Sequence, residues 1–212
     1  MPRARKSPAK ASAPPAGRSS EQSNPRPDAR LIAAALSLAA SKGWRHTGMG
    51  EIAREAGLPL GEAYAVYRTK PGVLAGFTRQ VNETVLSGGE ADGTPQEKLF
   101  ELLMRRFDAL KPHRAALKVI LRDSIGDPAT LCGVPVSLNA MAWMLEGAGI
   151  SAAGWRGRAR CLALTGAYAA VFRTFLEDDS EDLAKTMAAL DRRLKARPFR
   201  GGSPQTAPAS AA

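Results

Sequence analysis

Apolar positions recur at helical spacing along most of this chain, and the breaks between repeats fall at Gly, Pro or acidic clusters. From Asp28 to Ser41, Leu31, Ala35, Leu38 and Ala39 form a stripe that Ile32 and Leu36 widen. Gly43 ends this predicted helix, and Trp44 packs back on the core. Met49, Ile52, Ala53 and Ala56 fall at i, i+3, i+4 and i+7, which predicts a second, short helix capped by Thr47. Gly57 can take positive φ in the turn that follows, and a third short helix runs from Leu60 to Val66. Thr69 caps a fourth, which reaches about Leu86 with Val73, Phe77, Val81 and Val85 spaced by four. Lys70 and Pro71 stand in its first turn, where the missing proline N–H has no intrahelical role.

Ser87 to Gly93 reads as a linker. Thr94-Pro95-Gln96-Glu97 is a capping box with Pro at the first helical position, and Phe100, Leu103, Phe107 and Leu110 line the helix it starts. Pro112 opens a short helix with Leu117, Ile120 and Leu121 inward, and Gly126-Asp127-Pro128 is a turn. Ala129 to Gly149 is apolar on most sides (Val134, Val136, Leu138, Met141, Trp143, Met144, Leu145), as expected of a buried or cavity-lining helix. A long helix over about 155–176 again shows more than one apolar face. After Glu177-Asp178-Asp179, Ser180 caps a last helix to about 197, with Leu183, Met187, Leu190 and Leu194 as its stripe. No run of alternating β-branched residues is long enough for a strand, so the expected class is all-α.

Charge changes the picture. The chain of 212 residues carries a formal net charge of +10 and a pI near 10.1, which favours an anionic partner, nucleic acid before membrane. Within 1–30, Arg3, Arg5, Lys6, Lys10, Arg18, Arg26 and Arg30 face only Glu21 and Asp28, in a Pro-, Ala- and Ser-rich context. Residues 1–27 therefore read as a disordered basic arm able to add salt-sensitive, sequence-independent DNA affinity, and residues after Pro198 as a disordered tail. Cys132 and Cys161 stand alone, as do His46 and His113, so buried thiols are expected and no metal or cofactor. No apolar run reaches membrane-span length and no secretory signal pattern opens the chain, which reads as cytoplasmic. No Ser/His/Asp set or phosphate-cradling glycine loop points to an enzyme, and no catalytic residue is assigned.

Two short helices joined at a Gly-containing turn are a helix-turn-helix pattern. Gly43-Trp44, Thr47, Glu51-Ile52-Ala53, Ala56-Gly57, Gly61, Tyr64-Ala65-Val66-Tyr67 and Lys70 stand at the spacing of the TetR family of transcriptional repressors, which residues 28–86 resemble. The resemblance implies a DNA-binding segment at 48–67 within a three-helix domain, its contacts drawn from Thr47, Gly48, Leu60, Gly61, Glu62, Tyr64, Ala65, Arg68 and Lys70. Thr47, Tyr64 and Lys70 would meet phosphates, and Leu60, Glu62 and Ala65 would face base edges. It also implies that residues 94–197 form a helical effector domain that dimerises through its last two helices, about 155–176 and 180–197. Trp143, Met144, Trp155, Tyr168, Phe172 and Phe175 are candidates for the lining of its pocket, and a small apolar effector would release operator DNA by changing the spacing of the recognition helices. The second half is also similar to the ubiquinone-biosynthesis accessory proteins that share this fold and bind lipid. That likeness lies in Trp143, Phe175-Leu176, the acidic turn, Asp182-Leu183-Ala184 and Leu190-Asp191-Arg192-Arg193-Leu194.

The third helix, LGEAYAV, lacks the Lys, Arg, Asn or Gln side chains best suited to purine edges. Base readout should therefore be poor, with affinity leaning on Arg45, Arg68, Lys70 and the arm. Glu62→Ala tests what remains, measured as binding to duplexes differing at single base pairs. Loss of discrimination marks Glu62 as a cytosine reader, whereas tighter binding with unchanged discrimination marks it as a repulsive bystander.

Overall fold

The computed structural model describes residues 25–125 and 133–195, without the side chains of 133–135. Most of the expected arm, the Gly126-Asp127-Pro128 turn, Cys132, the side chain of Val134 and everything from residue 196 lie outside the described residues. Nine α-helices and one 3-10 turn make up the described residues, with no strand among them.

Helices α1 (Pro27–Lys42), α2 (Met49–Glu55) and α3 (Leu60–Val66) pack on one another. Helix α4 (Lys70–Ser87) leaves this trio, and its stripe of Val73, Phe77, Val81 and Val85 is buried as the spacing predicts. Thr69 caps it by accepting the Gly72 N–H at 3.2 Å. Helix α4 packs on α1 at one side and on α5 (Pro95–Leu110) and α7 (Gly133–Gly147) at the other. One contiguous buried cluster thus runs from α1 to the C-terminal helices, past the connection at 88–94.

The capping box of α5 forms as expected: Glu97 accepts from the Thr94 N–H at 2.7 Å, and Thr94 Oγ1 accepts from the Glu97 N–H at 3.3 Å. Helix α5 is the centre of the bundle, touching α4, α7 and α9 (Ala184–Leu194). Leu99, Leu102, Leu103, Phe107 and Leu110 fill its buried face. After a 3-10 turn at Lys111–His113, α6 (Arg114–Ser124) returns to pack on α1 and on the long α8 (Gly154–Glu177). Of the three α6 residues expected inward, Ile120 is buried, Leu117 is half-buried and Leu121 is exposed. Both leucines line a cavity, and Leu117 also packs against the core.

The last helix begins at Ala184, not at Ser180. The acidic turn before it folds inward, because Asp178 is fully buried and its carboxylate organises the corner. One oxygen accepts from the N–H and hydroxyl of Ser180, and the other from the N–H and hydroxyl of Thr186, at 2.8 and 2.7 Å. Ser180 still helps, since its Oγ accepts the Ala184 N–H at 3.0 Å. The corner holds Leu183, also fully buried, at a φ of 55°, a conformation that persists in a branched residue only where its surroundings over-determine it. Burial alone would raise the Asp178 pKa, but the four hydrogen bonds outweigh it and hold the group at about 2, below its ordinary 3.8.

A carboxyl whose pKa is depressed on folding stabilises above its unfolded pKa, and that stability is lost as pH falls through the folded one. Asp178 should therefore contribute roughly 2 kcal/mol that disappears between about pH 4 and pH 2. Asp178→Asn, which leaves one oxygen for four donors, should cost on the order of 2 kcal/mol and flatten that acid limb. Urea melts from pH 2 to pH 7 measure both.

Candidate nucleic-acid interface and adjoining cavity

Three interactions set the pose of α3. Arg30 on α1 reaches the turn between α2 and α3 and donates to the carbonyls of Ala56 and Gly57 at 2.6 and 3.0 Å. Gly57 there takes a φ of 63°, which suits a residue without Cβ. Lys42 of α1 pairs with Glu51 of α2, whose other oxygen accepts the Gly48 N–H at 3.0 Å. These two donors hold the Glu51 carboxyl below its usual range. Tyr67, just past α3, lies on α4 at Gly76, where an added Cβ would stand 2.0 Å from the phenol oxygen and 2.5 Å from the ring. The Tyr67 hydroxyl is buried with no hydrogen-bond partner among the described residues, and burial pushes its pKa up.

So held, α3 buries Ala63 and turns its other side to solvent. Leu60 is 62% exposed and Tyr64 59%, with Gly61, Glu62 and Ala65 also exposed. The five α3 residues assigned to DNA therefore share one open face, without a strong purine reader among them. Arg68 is exposed beside them, its guanidinium 5.6 Å from the centre of the Tyr64 ring.

The remaining assigned residues sit differently. Thr47 does not cap α2; the residue in that position is Gly48, which is exposed. Thr47 is buried and donates its hydroxyl to the Gly43 carbonyl at 2.8 Å, closing the loop after α1. That loop puts Thr47 one residue too early, and its hydroxyl proton is already committed. Lys70 turns inward, donating to the Trp44 carbonyl at 2.6 Å with its ammonium 4.5 Å from the centre of the Trp44 ring. Arg45 turns toward α6, donating its backbone N–H to the Asp123 carboxylate at 3.1 Å and its guanidinium to the Asp123 carbonyl at 3.0 Å. Those two bonds join the α1–α3 trio to the rest of the bundle.

Behind this surface lies a cavity of about 610 Å³. Trp44, Arg45, Lys70 and Leu74 wall one side, Leu117 and Ile120 of α6 another, and Tyr168 and Phe172 of α8 a third. Only these last two of the six expected pocket residues line it. Met144 and Phe175 are fully buried core, while Trp143 and Trp155 are 56% and 76% exposed on the outside. The apolar excess of α7 and α8 covers two faces, and the tryptophans belong to the outer one. Arg106 was missed, although its place among Leu102, Leu103, Phe107 and Leu110 puts it on the inward stripe of α5; it lines the cavity and is only 6% exposed. Arg30 and Asp178 carry no comparable signal in their spacing.

No protein-family model and no curated protein matches the chain. Solved structures do. A TetR transcriptional regulator from Nitrosomonas europaea is similar with a TM-score of 0.64 at 21% identity, over 79% of this chain and 95% of that one. A TetR transcriptional regulator from a Rhodococcus species gives 0.58 at 19% identity, over 80% and 96%. NalD, the secondary repressor of the MexAB-OprM multidrug efflux pump in Pseudomonas aeruginosa, gives 0.50 at 18% identity, over 79% and 93%. The chain thus has the TetR-regulator fold.

The Tyr67–Gly76 contact predicts opposite effects from two small changes. Gly76→Ala should cost about 1–3 kcal/mol because the ring must be displaced. Tyr67→Phe should be neutral or slightly stabilising, since it removes a buried hydroxyl without a partner. Denaturant melts of the two variants check this.

Proposed function

We propose that this protein is a DNA-binding transcriptional regulator, a repressor that leaves its operator when a small apolar molecule fills the cavity. The observation that carries the reading is that α4 serves both sites. Residues of α4 from Lys70 to Thr78 wall the cavity, and within that stretch Gly76 seats Tyr67, which anchors α3. A ligand that displaces the start of α4 displaces the recognition surface with it.

In this reading Leu60, Gly61, Glu62, Tyr64 and Ala65 enter the major groove, with Leu60 and Ala65 against thymine methyls. Arg68 and Gly48 meet backbone phosphates, and Thr47 and Lys70 act by holding the loop before α2 and the base of α4. Two copies act together. Leu162 and Trp155 on α8 and Met187 on α9 are exposed apolar side chains on the two helices expected to form an isologous dimer, which would cover them. No helix among the described residues is long and apolar enough to cross a membrane.

With few base-reading groups, affinity should come largely from charge. Removal of residues 1–24 takes away Arg3, Arg5, Lys6, Lys10 and Arg18 against Glu21. The slope of log affinity against log salt should then shrink by up to about 4, if each arm cation neutralises a phosphate. Fluorescence anisotropy at several salt concentrations, on a random duplex and on the DNA flanking the protein's own gene, gives the slope. It also tests the function itself. Tighter binding to the flanking DNA supports a regulator, whereas no salt-dependent binding to either duplex excludes it and leaves a lipid-binding role for the same fold.

A further inference from the structure

Helix α5 carries a cation where its pattern calls for an apolar residue. Arg106 donates from Nε to the Tyr168 hydroxyl at 3.1 Å and from Nη1 to the Asn82 side-chain oxygen. Its guanidinium lies 5.5 Å from the centre of the Tyr168 ring. All these partners are neutral. These hydrogen bonds use Nε and Nη1, which leaves Nη2 on the cavity side, where it is not sealed from solvent. A mostly buried guanidinium that meets only neutral acceptors at the wall of a cavity gains from an anion placed in that cavity.

The rest of the cavity has the same sign. Its lining includes Arg45, Lys70, Arg106 and Arg173 against a single carboxylate, Asp123. Asp123 is already engaged by the Arg45 N–H and the Arg122 guanidinium, and the first of these leads in holding its carboxyl below the usual range. Arg173 is exposed and in no ion pair among the described residues. Between these charges the walls are apolar, with Leu74, Leu117, Ile120 and Phe172. Arg106 is the one buried cation among the described residues, so a single negative charge would compensate it.

We propose that the cavity takes an apolar organic anion, a carboxylate with a hydrocarbon body, whose headgroup pairs with Arg106. The carboxylate accepts from Nη2 while Nε and Nη1 stay on Tyr168 and Asn82, so the anion completes the guanidinium's partners without breaking the link between α4, α5 and α8. The inference deepens the cavity's role as effector site by naming the effector class, and it concerns binding alone.

Isothermal titration of the full chain at neutral pH with decanoate and with decan-1-ol tests it. The two probes share a chain and differ in the charge of the headgroup. Decanoate should bind at least about tenfold tighter, the order expected of a charged hydrogen bond. Arg106→Met should lower decanoate affinity to that of the alcohol without weakening the alcohol, and Arg106→Lys should keep part of the preference. If Arg106→Met does not fold, as judged by circular dichroism, the native comparison and Arg106→Lys decide. Equal affinity for acid and alcohol, a preference that survives Arg106→Met, or no binding of either probe overturns the proposal. Preferential decanoate binding that leaves DNA affinity unchanged supports the anion site and counts against the regulator reading.

Discussion

The inward turn of Lys70 onto Trp44 is the interaction on which this structure's logic depends. A lysine in the first turn of a helix opposes the helix dipole, and here the Trp44 carbonyl and ring face compensate it. The contact ties the base of α4 to the loop that ends α1. It is also part of the cavity wall. The loop that ends α1, the base of α4 and the cavity wall therefore meet at one joint. Cores are close-packed and shift between discrete arrangements more readily than they deform. In the proposed switch, a displacement at that joint would travel along α4, through Tyr67 seated at Gly76, to α3.

The electrostatics follow a similar division. Arg30, Lys42, Arg45 and Lys70, all in or beside the α1–α3 trio, are spent on internal contacts. Near α3, Arg68 stays exposed, stacked over Tyr64. With no basic side chain of its own and with neighbouring cations committed to holding the fold, α3 would make a poor reader of bases. The positive charge of residues 1–30 is the natural complement.

Much of the fold was legible because it rests on local chemistry. The stripe of Val73, Phe77, Val81 and Val85, the Thr94–Glu97 box and the bounds of α3 emerge where residue spacing and capping predict them. What spacing could not decide was which way a polar or amphipathic residue turns. Thr47 reads as the cap of α2, but the loop geometry that buries it and puts Gly48 in that position is tertiary. An acidic turn ordinarily reads as solvated; nothing in Glu177-Asp178-Asp179 marks Asp178 as the one folded under Ser180 and Thr186. Trp143 and Trp155 match an apolar lining by composition, but their helices have two apolar faces and they lie on the outer one. Arg106 was open to discovery, since helical spacing places it among leucines.

Coupling of the cavity to the exposed face of α3 through α4, as proposed, requires no particular ligand, so filling the cavity with a side chain probes it. Ala169 lines the cavity from α8, and Ala169→Trp would add a bulky side chain there from a helix outside the α1–α3 trio. The account predicts that affinity for the duplex flanking the protein's own gene, measured by anisotropy, falls by about tenfold or more, a coupling of ordinary allosteric size, while helix content stays unchanged. A filled cavity with undiminished DNA affinity would contradict it.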